Sequence, residues 1–205
     1  PQAPDQWYFQ CHFKDDPVLA GSLMAEGCVQ LLQFYLLYLG VQTRVKDAFF
    51  QPVHGLPQVV RCRGQVIPGD PLMRYRMVVK EIKLDPIPYA IADIDILVGE
   101  RVVVDFRDLG VQLAEKGTEF RINREFLENP ESKKTELGPS SSASELQNTS
   151  LKKIFANDEQ IVQFALGDVS RCFGEEYAQY LNPVQRNPNR DFQLMSRVLE
   201  FEGNR

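Results

Sequence analysis

The feature that most constrains this chain is an apolar run without a polar face, from about residue 22 to residue 39. Leucines and aromatic residues between Leu31 and Leu39 cover almost every face of it, Ser22 is the predicted N-cap, and Gly40 suits the turn beyond the helix end. A helix that is apolar on almost all sides is stable in water only when other structure encloses it. The sequence therefore predicts a long central helix with a wrapping around it.

The residues after this helix predict the wrapping. Four β-rich runs, each ended by a turn containing Pro or Gly, cover residues 58–66, 72–84, 87–97 and 100–109. Short connections make such strands antiparallel neighbours. One long helix followed by an antiparallel meander indicates an α+β fold in which the sheet curls around the helix.

Composition divides the chain into three predicted parts. Residues 1–128 hold the central helix and the strands, and residues 129–150 contain few apolar side chains and many serines, which is typical of a flexible linker. In residues 151–205 the sequence predicts a further helix after Asn157 and a strand at 192–201.

Charge and residue usage exclude several function classes. A net charge of −5 argues against a general nucleic-acid binder. With two histidines and four cysteines without paired spacing, a metal site is not expected. The most apolar run, Cys28 to Val41, is about fourteen residues long and contains Gln30 and Gln33, so it falls short of the roughly twenty residues that a bilayer span requires. No charged segment of the signal-peptide kind precedes it, so we expect a cytoplasmic protein without a membrane span.

Two titratable residues flank the start of the central helix. His12 lies in a short aromatic run before it, and Glu26 lies inside it among apolar residues, where a carboxylate needs a partner. A base and an acid at a helix N-terminus indicate proton transfer next to a polarised carbonyl. Two other interpretations stay open: His12 as a structural imidazole, and Glu26 as a first-turn carboxylate favoured by the helix dipole.

Two neighbours can assist such chemistry. Gly21 lets a ligand oxygen approach the unpaired N–H groups of the helix start, although a role in the turn alone explains it equally well. Gln30 lies one helical turn after Glu26 and can orient the carboxylate. A Cys11–His12 nucleophile pair is not expected, because adjacent residues of an extended segment point to opposite faces.

The segment from Trp7 to Glu26, WYFQCHFKDDPVLAGSLMAE, followed by Gln30, closely resembles the active-site segment of β-hydroxyacyl-ACP dehydratases of the β-hydroxydecanoyl type. These enzymes adopt the hotdog fold. The GQVIP sequence at 64–68 is similar to the family's third-strand motif, and the resemblance covers about residues 5–113. Two positions depart from the pattern: Ala20 stands where the family usually has proline, and Glu26 replaces the aspartate of the bacterial stand-alone enzymes.

The resemblance implies an activity and a site. It implies removal of water from a (3R)-3-hydroxyacyl thioester on acyl carrier protein to give a trans-2-enoyl thioester, with His12 as base, Glu26 as acid and no metal or organic cofactor. Val18, Gly21, Ser22 and Gln30 would contact the substrate, and the amides near Gly21 would hold the thioester carbonyl.

The resemblance also implies partners. In this family the histidine and the acid that face one substrate come from two hotdogs, so a homodimer or pseudo-dimer is expected. An apolar acyl tunnel would run between the two long helices, with the imidazole and the carboxyl group facing each other across it. Acyl carrier protein is the other expected partner.

Residues 158–203 are similar to the opening helix and first strand of the same fold, which normally precede the histidine segment. The whole chain thus looks like a dehydratase fragment of a polyunsaturated fatty acid or polyketide synthase. The strand at 192–201 would complete this sheet or belong to another unit. Alternatives are a hotdog acyl-ACP thioesterase in which Glu26 activates water, and a non-catalytic structural hotdog.

Overall fold

The computed structural model describes residues 2, 4–45, 47–115, 155–180, 194–195 and 197–200. The predicted linker at 129–150 lies outside these residues, and so do parts of the predicted strand at 192–201. The division of the chain into three parts therefore stays a prediction. Across the described ranges, no helix is both long enough and apolar enough to cross a bilayer.

The long central helix is present, with a start slightly different from the predicted one. It is α2, Gly21–Tyr38, and its N-cap is Ala20, which makes no side-chain capping bond; Ser22 falls within the first turn instead. Gly40 adopts the left-handed conformation at φ 72°, as expected beyond the helix end. The other helices of the described residues are α1 (Trp7–Cys11), α3 (Asp158–Leu166) and α4 (Val169–Phe173), with short 3-10 turns at Val41–Arg44 and Glu175–Tyr180.

A single antiparallel sheet follows α2 within the described part of the chain. Its strands are β1 (Ala48–Pro52), β2 (Val59–Cys62), β3 (Met73–Lys83), β4 (Tyr89–Val98) and β5 (Arg101–Glu115). The order is β1-β5-β4-β3, and β2 also pairs with β5. The predicted α+β architecture is confirmed.

The sequence missed β1 and ended β5 six residues early. β1 is only five residues long and ends at Pro52, so it carries too little alternation to be recognised. β5 continues to Glu115 because β1 pairs along its far end, from Ala48 opposite Glu115 to Pro52 opposite Val111. Pairing with a distant strand thus extends β5 beyond the point where its own sequence indicates an end.

The helix α2 is enclosed from two sides. One side packs on the sheet through side chains such as Cys28, Leu32 and Leu36, which are completely buried. The other side belongs to a second apolar cluster, in which Phe34 and Leu37 meet the C-terminal part of the chain. The C-terminal members of this cluster are Ala156, Ile161, Phe164, Val169, Cys172, Tyr177, Met195 and Val198. This explains why the helix has no polar face.

The C-terminal residues differ from the predicted strand. Within the described residues of 192–201, the chain forms one antiparallel bridge, between Val198 and Ala156, and pairs with none of β1–β5. Met195 and Val198 pack instead with Phe34 and Leu37 of α2 in the second apolar cluster. The predicted helix next to it is present, and its N-cap Asn157 forms a capping box with Gln160.

Candidate active site

His12 is held by the main chain of Val18. The residue caps the C-terminal end of α1, is half-buried, and places its Nδ1 atom 3.1 Å from the carbonyl oxygen of Val18. A carbonyl oxygen only accepts hydrogen bonds, so Nδ1 carries the proton and the neutral ring keeps its lone pair on Nε2. In return the Val18 N–H donates to the His12 carbonyl at 2.7 Å. The imidazole is therefore oriented with Nε2 available as a base.

The loop that carries His12 is anchored to the sheet side of the molecule. The Leu19 N–H donates to the carbonyl of Val66 at 2.9 Å, and Val66 belongs to the GQVIP sequence that resembles a family motif. The ring of Phe13 lies with its centroid 3.7 Å from that of His12, although Phe13 itself is 56% exposed. These contacts fix the loop, and the side chain of Val18 is buried within it.

Glu26 is held by Gln30. In the second turn of α2, Oε1 of the half-buried Glu26 accepts a hydrogen bond of 2.9 Å from Nε2 of Gln30. This contact is the one that the four-residue spacing predicts. Gln30 is 0% exposed, and its Oε1 accepts the main-chain N–H of Leu194 at 3.0 Å. The amide thus donates at one end and accepts at the other.

The start of α2 is open. Gly21 and Ser22 are both exposed, and Ala20 offers no side-chain cap to the first N–H groups of the helix. A methyl group added at Gly21 would meet no atom within 4 Å. A ligand oxygen therefore has room to approach these N–H groups, which carry the positive end of the helix dipole.

The structure groups the candidate residues in two pairs. His12 with Val18 and Glu26 with Gln30 are in contact, whereas no hydrogen bond or ion pair joins His12 to Glu26 within the described chain. The described part of the chain contains no group of three His, Cys, Asp or Glu residues able to hold a metal ion.

Two residues that contact Gly27 or Gln30 of α2 were not identified from the sequence. The Tyr75 hydroxyl lies against Gly27 and is buried with no hydrogen-bond partner among the described residues, and burial raises the pKa of Tyr75. Leu194 contributes through its main chain alone. Neither residue has a sequence signal, because one lies on a distant strand and the other uses a group that every residue except proline carries.

Comparison with known proteins places this arrangement in a family. Residues 3–107, which include His12, Gly21, Glu26 and Gln30, match the model of the FabA-like domain. The chain belongs to the FabA-like domain family. The hotdog fold and the dehydratase family expected from the His12 segment are thereby confirmed.

One curated relative of this FabA-like chain is a subunit of a polyunsaturated fatty acid synthase from Thraustochytrium sp. (strain ATCC 26185 / S-3). It is 36% identical over an alignment of 138 residues, and the match covers 56% of this chain and 9% of the relative. The chain therefore spans less than a tenth of the length of this much longer protein. The similarity agrees with the expected dehydratase fragment of a polyunsaturated fatty acid synthase.

Proposed function

We propose that this FabA-like chain dehydrates (3R)-3-hydroxyacyl groups bound to acyl carrier protein and yields trans-2-enoyl thioesters during fatty acid synthesis. The observation that carries the proposal is the 3.1 Å contact between Nδ1 of His12 and the Val18 carbonyl oxygen. It leaves Nε2 unprotonated in the neutral ring, as a base near the open start of α2 requires. The polyunsaturated fatty acid synthase relative supports the substrate class, and the cytoplasmic location stays a prediction.

Two proton transfers make up the reaction. His12 Nε2 takes a proton from C2 of the substrate, and the Val18 carbonyl stabilises the imidazolium through Nδ1–H. The C–H electron pair moves through the enolate into the C2=C3 double bond. Glu26, in its protonated form, donates its proton to the 3-hydroxyl group, which leaves as water. Each proton-transfer group contributes about 10²–10⁴-fold to the rate.

The N-terminal end of α2 provides electrostatic stabilisation of the enolate intermediate. The developing negative charge of the enolate lies on the thioester oxygen, and the N–H groups at Gly21 and Ser22 can donate to it. The open space at Gly21 lets that oxygen come close. The acyl chain then extends along the apolar surface of α2.

One substrate is served by two hotdogs. Within a single chain His12 and Glu26 are held by separate partners, and no hydrogen bond or ion pair joins them among the described residues. We propose that His12 of one hotdog and Glu26 of a second, in a homodimer or pseudo-dimer, face the same substrate, which reaches them on acyl carrier protein.

Product analysis of three variants tests the proposal. The full chain is incubated with 3-hydroxyacyl and crotonyl thioesters, and products are followed by mass spectrometry. His12→Ala and Glu26→Gln should each abolish enoyl formation and hydration, whereas His54→Ala, a matched histidine variant outside the site, should keep full activity. Activity retained in His12→Ala would contradict the assignment, and release of free fatty acid would identify a thioesterase instead.

A further inference from the structure

Gln30 connects the proposed acid to the C-terminal part of the chain. Its Nε2 donates to Glu26 at 2.9 Å, and its Oε1 accepts the Leu194 N–H at 3.0 Å. Gln30 and Leu194 are 164 positions apart in sequence, and Gln30 is 0% exposed. The contact to Leu194 is thus made away from solvent.

The Leu194 main chain is held at this place by its neighbours. Met195 is buried in the second apolar cluster, against the α2 face that carries Phe34 and Leu37. Val198 exchanges main-chain hydrogen bonds with Ala156, at 2.9 Å from its own N–H and 3.1 Å to its carbonyl. Packing of Met195 and backbone pairing of Val198 therefore hold the chain that follows Leu194 beside α2.

The Leu194 N–H favours the orientation of the Gln30 amide in which the nitrogen faces Glu26. A side-chain amide has an oxygen that only accepts and a nitrogen that only donates, and the two ends have nearly the same shape. With its oxygen held by an N–H donor, the amide must turn its nitrogen to Glu26. Without that donor, the amide could rotate by 180°, and its oxygen would then repel the ionised carboxylate or accept the proton of the protonated carboxyl group, which is the proton that the reaction requires.

We propose that Leu194 is a positioning residue, whose main-chain N–H acts through Gln30 to hold the Glu26 carboxyl group in the orientation required for proton donation. This inference rests on the proposed dehydratase function. It assigns to the C-terminal segment a part in the active site that precedes it in sequence. A misplacement of a reacting group by about 1 Å can cost on the order of a hundredfold in rate.

Two variants of Leu194 separate its N–H from its side chain. Leu194→Pro removes the N–H and keeps an apolar side chain, whereas Leu194→Ala keeps the N–H and shortens the side chain. In the full chain, Leu194→Pro should lower kcat about ten- to a hundredfold with KM unchanged, since a residue that acts only through Gln30 alters the proton donor and not substrate binding. Leu194→Ala should keep kcat and KM close to the wild-type values. Equal activity of the two variants overturns the inference.

A double-mutant cycle asks whether the effect passes through Gln30. Gln30→Met removes both ends of the amide and should itself lower kcat. If Leu194 acts through Gln30, adding Leu194→Pro to Gln30→Met should cause no further loss. Losses that multiply would show that Leu194 acts by another route and would overturn the proposal.

Hydrogen exchange supplies a readout independent of activity, which also serves if Leu194→Pro fails to fold. The Leu194 amide should exchange slowly in the wild-type chain and faster in Gln30→Met, while the amide of Val198, bonded to Ala156, stays protected. An unchanged rate at Leu194 overturns the inference. If the wild-type chain shows no dehydratase activity, the proposed function fails; if it is active and only the Leu194 predictions fail, the function stands.

Discussion

The ring of Tyr75 lies against the backbone of Gly27, where a methyl group would be only 2.7 Å from the ring carbon Cζ. Tyr75 is on β3 and Gly27 is in α2, so the missing side chain lets helix and sheet approach closely. Gly27→Ala should therefore destabilise the chain by about 1–3 kcal/mol, as overpacking does. Thermal unfolding measures the change, and an unaltered melting temperature would show that Tyr75 moves aside freely.

Unlike Gly27→Ala, Gly21→Ala should lower activity and leave stability unchanged. A methyl group there meets nothing within 4 Å, so the melting temperature should not fall. The same methyl group would stand in the way of a thioester oxygen approaching the helix start, and kcat/KM should fall at least about tenfold. Steady-state kinetics measures kcat/KM, and thermal unfolding measures the melting temperature. Full activity would show that the carbonyl binds elsewhere.

A mixture of two inactive variants tests the two-hotdog site. If His12 and Glu26 of different chains face one substrate, a dimer of His12→Ala with Glu26→Gln contains one intact site out of two. Random exchange of subunits of a symmetric dimer should then restore about a quarter of the wild-type activity. Each variant alone, refolded in the same way, is the control. No recovery in a mixture shown to contain mixed dimers would place both residues of a site in one chain.

The carboxyl group of Asp95 should make part of the free energy of unfolding sensitive to acid. Burial alone would raise its pKa, but hydrogen bonds from Arg76 and Arg107 lower it below the usual value. A carboxyl group with a lowered folded-state pKa stabilises the fold above its unfolded value, about 3.9, and loses this contribution as the pH falls through the folded value. The free energy of unfolding should therefore decrease below about pH 4.

Arg76→Met should make that decrease smaller, because Asp95 loses the hydrogen bond of 2.5 Å that Arg76 provides. Urea unfolding at pH 7 and pH 3 measures the difference. Arg74→Met is the matched control, since its partner Glu100 is exposed and contributes little. If both variants show the wild-type difference in unfolding free energy between pH 7 and pH 3, the lowered pKa of Asp95 does not depend on Arg76.

The four cysteines should divide by reactivity. Cys11 and Cys62 are exposed, whereas Cys28 and Cys172 are buried and burial raises the pKa of each to about 12. Because the thiolate is the reactive form, iodoacetamide at pH 8 should label only the first pair in the native chain. Peptide mass spectrometry before and after unfolding checks this. Rapid native labelling of Cys28 would show that the core between α2 and the sheet opens.

The dehydratase motif could be recognised from the sequence because its signals are local. The spacing of His12, Gly21, Glu26 and Gln30 lies within one segment, and the uniform apolar character of α2 predicted a helix enclosed on most sides. The family match confirms the motif's affiliation. The roles of these residues stay predictions until the variants are measured.

Other features depended on contacts between distant residues. β1 and the far end of β5 stabilise each other, so neither could be recognised alone. The C-terminal residues have a strand-like composition, yet in the described chain Val198 pairs only with Ala156, and it packs with Phe34 and Leu37 of α2 in the second apolar cluster.

By itself, the sequence determined the long buried helix, the antiparallel meander and the histidine–glutamate motif, since these depend on residue type and spacing along a continuous stretch. Only the tertiary structure decided what holds each group: the Val18 carbonyl that selects the His12 tautomer, and the Leu194 N–H that orients Gln30 toward Glu26. Both are main-chain groups, which every sequence carries and which acquire a specific partner only when the fold brings it within hydrogen-bond distance.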